Sequence, residues 1–301
     1  MLKPGLYEQV INKDITEKID ESSQLIDKRA IDDAEAAHII SNYLAEIIEK
    51  GLARLGNDNI DTKLLLANKI VSAVTETTGD DEFDSMSIDN SAQQLLAIAD
   101  IANNADSVNK IIRMPRPETP MSSSSLFTGA VHEPQLISEL KKEILSADRI
   151  DMLVSFIKWS GIRLIYDELE GFTGKGGKLR IITTSYMGAT DAKAVEELRK
   201  LPNTEIKVYY DTKCTRLHAK SYMFYRNTGF TTAYVGSSNL SKAAVTDGRE
   251  WNLKITAHDQ PHTIRKINAT FESYWNGCDC VTYSETTFNG YMVRSDSHIS
   301  I

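Results

Sequence analysis

The sequence predicts an α/β fold, a sheet covered by helices on both faces, preceded by an all-helical segment. Apolar residues recur at helical spacing through residues 6–78. A stretch rich in proline and serine, RMPRPETPMSSSS at 113–125, then breaks any periodic structure. Beyond it, short strand-like runs alternate with amphipathic helical runs, the pattern of a sheet with helices packed on it.

In the first part, Leu6, Val10 and Ile11, then Ile15 and Ile19, follow a helical repeat. AEAAHIISNYLAEIIEKGLARLG aligns Ile39, Tyr43, Ile47 and Leu52 near one stripe, with Gly51 and Gly56 marking its end. His38 falls among apolar neighbours and reads as structural. DTKLLLANKIVSAVTET opens on Asp61 as N-cap and runs through Leu65 and Ile70. The stripes read as mutual packing faces. Residues 79–92 are acidic and polar, a loop, and a short helix is expected around 92–104.

In the second part, helices are expected at 133–146, 160–170, 190–200 and 264–275, and from near Leu240. Strands are expected at 149–157, 178–186, 204–210 and 251–257. RLHAKSYMFYR and FTTAYVGSS form a hairpin across Asn-Thr-Gly at 227–229, where Asn and Gly favour positive φ. No internal repeat is visible. The domains expected are an acidic helical domain at 1–112, a linker at 113–125, an α/β domain at 126–277 and a tail of uncertain structure at 278–301.

Bulk properties narrow the function. With 41% hydrophobic and 25% charged residues, the 301-residue chain has a globular composition. No apolar run approaches the roughly 20 residues needed to span a bilayer, and MLKPGLYEQV lacks a signal-peptide layout. Cys214, Cys278 and Cys280 make neither a disulfide framework nor a zinc signature, so a reducing cytoplasm is the expected compartment. The net charge of −8 is unevenly spread. Residues 1–112 hold 21 acidic and 10 basic residues, whereas 113–301 hold 21 and 24. The second part is therefore compatible with a phosphate substrate.

The chemistry concentrates in 216–254. His218 and Lys220 are two apart on an expected strand and so leave the same face. Gly236, Ser237, Ser238 and Asn239 follow the paired strand and precede a helix, whose N-terminus favours an anion. Glu250 follows on the next strand. These are parts for phosphodiester cleavage. The His218 imidazole can attack phosphorus and form a covalent intermediate. Lys220 and Asn239 can hold the non-bridging oxygens, Ser237 can add a hydrogen bond, and Glu250 can fix the imidazole tautomer. Thr183, Thr184, Ser185 and Tyr186 end a strand, as do Ser155 and Lys158, where α/β folds place ligands. Trp159 and Trp251 read as packing residues, and His258 and His262 as surface residues. No clustered carboxylates or Cys/His set points to a metal, and no cofactor is expected.

His-x-Lys followed by Gly-Ser-x-Asn resembles the phospholipase D superfamily, over about residues 126–277. The resemblance implies a phospholipase D-like sheet and metal-independent phosphodiester hydrolysis through a phosphohistidine at His218. The eleven-residue gap from Asn239 to Glu250 is similar to that of its small bacterial nucleases. Tyr225 stands where the family has an Asp.

SLFTGAVHEP, VSFIKWSGIRLI, IITTSYMGAT and GSSNLS with GREWN resemble, more narrowly, the phospholipase D-like N-terminal region of bacterial superfamily 2 helicases. That implies a nucleic-acid substrate, DNA before RNA, and helicase or ATPase domains as partners beyond this region. The P-loop of such domains is not found; GFTGKGG at 171–177 is a lysine-bearing glycine turn. The chemistry needs two imidazoles and the chain offers one motif, so a homodimer with a shared active site is expected. Two other readings stay open, a non-catalytic DNA-recognition module and a phospholipid hydrolase or transferase.

Overall fold

The computed structural model describes residues 2–21, 23–57, 59–98, 115–210, 217–246, 250–277 and 280–283. Two compact units are present, Met1–Ile98 and Ala99–Ile301. Cys214, Cys278, the tail beyond 283 and the second half of the helix expected at 92–104 lie outside the described residues.

The first unit is helical. Helix α1 (Lys13–Asp20) starts at Asn12, whose side chain accepts from the Ile15 amide. Leu6, Val10 and Ile11 are not helical, contrary to the periodicity, because the cap lies after them. Helix α2 spans Asp33–Arg54 and α3 spans Ile60–Thr78. The α3 cap is Asn59 rather than Asp61, its oxygen accepting from the Thr62 amide. Residues 81–86 form a 3₁₀ helix inside the expected loop, and 92–98 are not helical. The stripes are only half used as packing faces. Leu64 is buried, whereas Ile40, Leu44, Ile47, Leu65 and Val74 are exposed. His38 is also exposed and hydrogen-bonds Asn42 rather than sitting in a core.

The second unit is built on an eight-stranded mixed sheet in the order β1-β7-β6-β5-β2-β3-β4-β8. The strands are β1 (Ser125–Phe127), β2 (Arg149–Leu153), β3 (Lys178–Thr184), β4 (Thr204–Tyr209), β5 (Ser221–Tyr225), β6 (Thr232–Gly236), β7 (Asn252–Thr256) and β8 (Cys280–Thr282). β2, β3 and β4 are parallel neighbours, linked by helical crossovers. The chain then returns across the sheet, and β5 pairs antiparallel with β2. This reversal is a topological switch point, where an α/β sheet leaves a crevice at its strand ends.

Two edge strands escaped the sequence reading. β1 takes up the last residue of the expected linker, and β8 uses residues of the expected tail. The described part of the linker is also tied down, since Glu139 accepts from the backbone amides of Glu118 and Thr119. The expected helix at 160–170 is two, α5 (Trp159–Ile162) and α6 (Tyr166–Gly174), and Gly171 and Gly174 lie inside α6 rather than in a turn. At the hairpin turn, Gly229 takes φ 89° and Asn227 does not share it.

Strand alternation divides the core. Ile150, Met152, Leu179, Ile181, Tyr222, Phe224 and Tyr234 point to one face and are covered by α4 (Leu136–Ser146), α5, α6 and α7 (Ala192–Arg199). On the other face, Leu153, Ile182, Met223, Ala233 and Ile255 are covered by α9 (Pro261–Asn276) through Ile264, Phe271 and Trp275. Each layer buries an ion network. Arg180 bridges Asp151 and Glu272 beneath α9. Glu143 of α4 meets Arg226 and Lys254, and also accepts from the hydroxyls of Thr232 and Tyr234.

Candidate active site

Four segments meet at the sheet end formed where β2 and β6 finish and β5 and β7 begin. Ser155 and Phe156 leave β2, His218–Lys220 lead into β5, Gly236–Asn239 leave β6, and Glu250 and Trp251 lead into β7. Hydrogen bonds join them. Ser155 Oγ donates to the Ala219 carbonyl oxygen at 3.5 Å, and the Phe156 amide donates to Asn239 Oδ1 at 3.2 Å. The Gly236 amide donates to the Lys220 carbonyl oxygen at 3.3 Å, and the Ser237 amide to that of Trp251 at 3.0 Å. Residues more than 90 positions apart in sequence thus form one connected floor.

His218 and Lys220 sit in the loop before β5, not on the strand as their spacing suggested, and their environments differ. His218 is exposed, while Lys220 is only 5% exposed. Pairing begins at Ser221, so the alternation rule does not extend back to them. Lys220 Nζ donates to the His218 carbonyl oxygen at 2.7 Å, which ties the side chain back onto its own loop. Burial pushes the Lys220 ammonium down from the usual lysine range, and the Glu250 carboxylate pulls it partly back up. Glu250 also acts on the Tyr222 phenol, which burial raises well above its usual value. Glu250 precedes β7 rather than lying on it. Its charge is felt by Lys220.

The Gly-Ser-Ser-Asn segment is held by its neighbours rather than by a long helix. The helix after it, α8 (Lys242–Val245), is a single turn capped by Ser241, so the expected helix-terminus potential is small. Gly236 is required by close approach, since a Cβ there would lie 2.1 Å from the Trp251 carbonyl oxygen. Ser237 is exposed and exchanges hydrogen bonds with the Trp251 backbone. Ser238 is buried, donates to the Ala244 carbonyl oxygen and accepts from Asn252 Nδ2 at 2.8 Å. Its own carbonyl accepts from Tyr222 Oη at 2.8 Å. Ser238 therefore supports the loop. Asn239 is 7% exposed, with its Oδ1 on the Phe156 amide.

Asn252 and Tyr222 were missed from sequence. Both are almost fully buried and fix the loop that carries Asn239. An Asn at the start of a strand is a disfavoured residue type there, and that was the available signal.

Other expected residues fall outside this floor. Thr183 is buried with its hydroxyl 3.3 Å from that of Thr190, and Thr184 Oγ1 accepts from the Tyr186 amide. Both hydroxyls thus stabilise the turn after β3. Lys158 pairs with Asp191. Trp159 packs edge-on to Tyr166, as a packing residue should. Trp251 does not pack, being 64% exposed. Tyr225 lies at the far end of β5, where its hydroxyl donates to Asn268 Oδ1 and Arg149 stacks 3.6 Å over its ring. His258 stacks on Phe230, and His262 lies within 2.8 Å of Arg265.

Residues 140–275 match the family model described as cardiolipin synthase, PLD-like domain. That match spans 136 of the 301 residues, and over it the chain is similar to a phospholipase D-like domain. No curated protein matches the chain. Similar solved structures include NucT from Helicobacter pylori, 22% identical, covering 54% of this chain and 99% of that one, with a TM-score of 0.44. Another is Nuc from Salmonella typhimurium, a phospholipase D family member, 20% identical with the same coverages and a TM-score of 0.41. A third is phosphatidylserine synthase from Haemophilus influenzae, 12% identical, covering 59% of this chain and 44% of that one, with a TM-score of 0.41. Among the described residues no helix is long and apolar enough to cross a membrane.

Proposed function

We propose that this chain is a metal-independent phosphodiesterase acting on nucleic acid, DNA before RNA, as a module associated with a helicase. The observation that carries the chemistry is the joining of the His218–Lys220 loop to the Asn239 loop at the sheet's switch point, with Glu250 beside Lys220. The substrate class rests on the helicase-like strings SLFTGAVHEP and GREWN.

In the proposed reaction the exposed imidazole of His218 attacks phosphorus, the leaving oxygen departs, and a phosphohistidine forms. Lys220 and Asn239 stabilise the charge on the non-bridging oxygens, and Ser237 adds a hydroxyl at the rim. Glu250 keeps Lys220 charged and orients the imidazole. Water then hydrolyses the P–N bond, releasing the phosphate ester and restoring His218.

Protonation of the leaving oxygen calls for a second imidazole on the opposite side of phosphorus. His132 follows β1, three strand spacings from β5, about 14 Å. His258 and His262 lie beyond the opposite end of β7. The chain carries one His-x-Lys motif, so we assign the acid to His218 of a second copy in a two-fold dimer. The same observation supports a second reading, in which an isolated copy binds a phosphate and cannot cut it.

The direct test is incubation with labelled single- and double-stranded DNA, wild type beside His218→Ala. Cleavage by the wild type and a loss on the order of 10⁴-fold or more in the variant is the expected result. His218 is exposed, so the variant should keep its fold. Wild-type turnover in the variant rejects the assignment, and a wild type that binds without cutting selects the recognition module.

A further inference from the structure

Asp191 stands at the N-cap position of α7, yet its carboxylate makes no bond to that helix. An aspartate at a cap ordinarily accepts from an amide of its own first turn. Here both oxygens reach across to the segment that leaves β2. Oδ2 accepts from the Trp159 amide at 2.9 Å, and Oδ1 accepts from Lys158 Nζ at 3.0 Å. The Asp191 amide donates to the Ile157 carbonyl oxygen at 2.8 Å. Trp159 is the first residue of α5, so Asp191 satisfies an orphan amide of a different helix. Asp191 is itself anchored to the sheet, since its neighbour Thr190 donates to the Thr184 carbonyl oxygen at 2.8 Å.

The clamped segment lies directly against the loop that carries Asn239. The Phe156 amide donates to Asn239 Oδ1, and Ile157 pairs in parallel with Leu240. The Lys158 amide donates to the Leu240 carbonyl oxygen at 2.8 Å. Gly161 meets the same backbone so closely that a Cβ there would lie 2.6 Å from the Leu240 carbonyl. A backbone amide can only donate, so Oδ1 must face Phe156 and Nδ2 must face away from it. The Asn239 side chain is thereby set as a donor, the form an anionic phosphate oxygen requires.

We infer that Asp191 is a positioning residue, which fixes residues 156–161 and through them the orientation of the Asn239 side chain. The inference rests on the proposed reaction, in which Asn239 holds a non-bridging oxygen, and it assigns a residue outside the motif to that task. Of the two bonds, the one to the Trp159 amide carries the effect. The Lys158 and Asp191 side chains are each 36% exposed, and an ion pair so exposed contributes little. The path from Asp191 to Asn239 is short and runs through backbone contacts, which do not give way as side chains do. Displacing residues 157–159 displaces the Phe156 amide, and Asn239 then loses the bond that sets its donor.

The experiment uses the full chain and the small diester bis(p-nitrophenyl) phosphate. The variants are Asp191→Ala, Asp191→Asn, Asn239→Ala and the double variant of Asp191→Ala with Asn239→Ala. Asn239→Ala removes a donor to the developing charge and should lower kcat about 10²–10³-fold. Asp191→Ala should lower kcat about 10–10²-fold with KM little changed. Asp191→Asn keeps an oxygen for the Trp159 amide and should recover most of the turnover. The double variant should be no slower than Asn239→Ala, because Asp191 acts only through that side chain. Losses that multiply in the double variant overturn the inference, as does an Asp191→Asn as slow as Asp191→Ala. Near-UV circular dichroism checks folding. Should Asp191→Ala fail to fold, Asp191→Ser takes its place, a residue suited to the α7 cap but too short to hold both Trp159 and Lys158. The ¹⁵N–¹H signals of the Asn239 side-chain amide, assigned by their loss in Asn239→Ala, read the geometry without turnover. They should shift in Asp191→Ala and stay in place in Asp191→Asn; signals unmoved in both overturn the inference. A wild type that cleaves no diester, with signals that move as stated, supports the positioning of Asn239 and rejects the proposed reaction.

Discussion

Lys220 Nζ lies 2.7 Å from the carbonyl oxygen of His218, so the buried ammonium braces the backbone that presents the exposed imidazole. In the proposed reaction Lys220 thereby has two tasks, holding the loop of the attacking imidazole and supplying positive charge to the phosphate. The second task requires Lys220 to be protonated although burial works against it.

This sets a pH dependence with a definite sign. Burial lowers the Lys220 ammonium below the ordinary lysine value of about 10.4, so turnover should decline on the alkaline side before that pH is reached. Glu250 favours the charged form. Glu250→Gln removes that support and should move the alkaline limb to lower pH, with turnover at neutral pH reduced less than by His218→Ala. A pH–rate profile of both proteins measures it. A limb unmoved, or moved to higher pH, would show that Glu250 does not act through Lys220.

Turnover should survive excess EDTA. In the proposed reaction the positive charge comes from Lys220 and the hydrogen bonds from Asn239 and Ser237. A loss of cleavage in EDTA that added Mg²⁺ restores would reject the phosphohistidine route for this chain.

Gly236→Ala should damage both stability and turnover. Its Cβ would press on the Trp251 carbonyl oxygen, against backbone that cannot move without breaking the β6–β7 pairing. A destabilisation of about 1–3 kcal/mol is expected. Displacing the Asn239 loop should cost turnover about 10²-fold. Denaturant titration beside kinetics separates the two; unchanged kinetics would mean that the loop position is not set there.

The Glu143 network makes a prediction about stability alone. Burial raises the Glu143 carboxyl, but the charges of Arg226 and Lys254 outweigh it and hold the group below its ordinary value. A carboxylate lowered on folding stabilises above its unfolded pKa, and that contribution is lost as pH falls through the folded value. Glu143→Gln leaves two buried cations under-compensated and should cost about 3–5 kcal/mol at neutral pH. The difference from wild type should shrink in acid, which thermal melts at several pH values would reveal. An equal difference at all pH values would show that the charge is not what stabilises.

Much of the second unit was legible in the sequence. The α4, α7 and α9 stripes and the six central strands follow local periodicity, and each was placed to within a few residues. The errors have physical causes. β1 and β8 have three residues each, too few for alternation to register, and they exist because a neighbour's edge was open to pairing. In the first unit the α2 and α3 stripes predict a packed core, yet several of their apolar side chains are exposed, because two helices leave outward faces that a local pattern does not distinguish.

For the site, the order His218, Lys220, Gly236, Ser237, Asn239 and Glu250 was readable because the residues fall within one 33-residue stretch. Long-range pairing decided the rest. β5 sits against β2 instead of following β4, and this brings Ser155 and Phe156, from more than 60 positions upstream, under the His218 loop. The same pairing buries Lys220 while leaving His218 in solvent, a difference that their two-residue spacing concealed. Thr183 and Thr184 bond within their own turn after β3, and Trp251 is exposed beside the site. Periodicity and motif order are properties of neighbouring residues and survive in any window of the chain. Burial and strand partnership depend on which distant segments close the sheet, and those were determined only in the folded molecule.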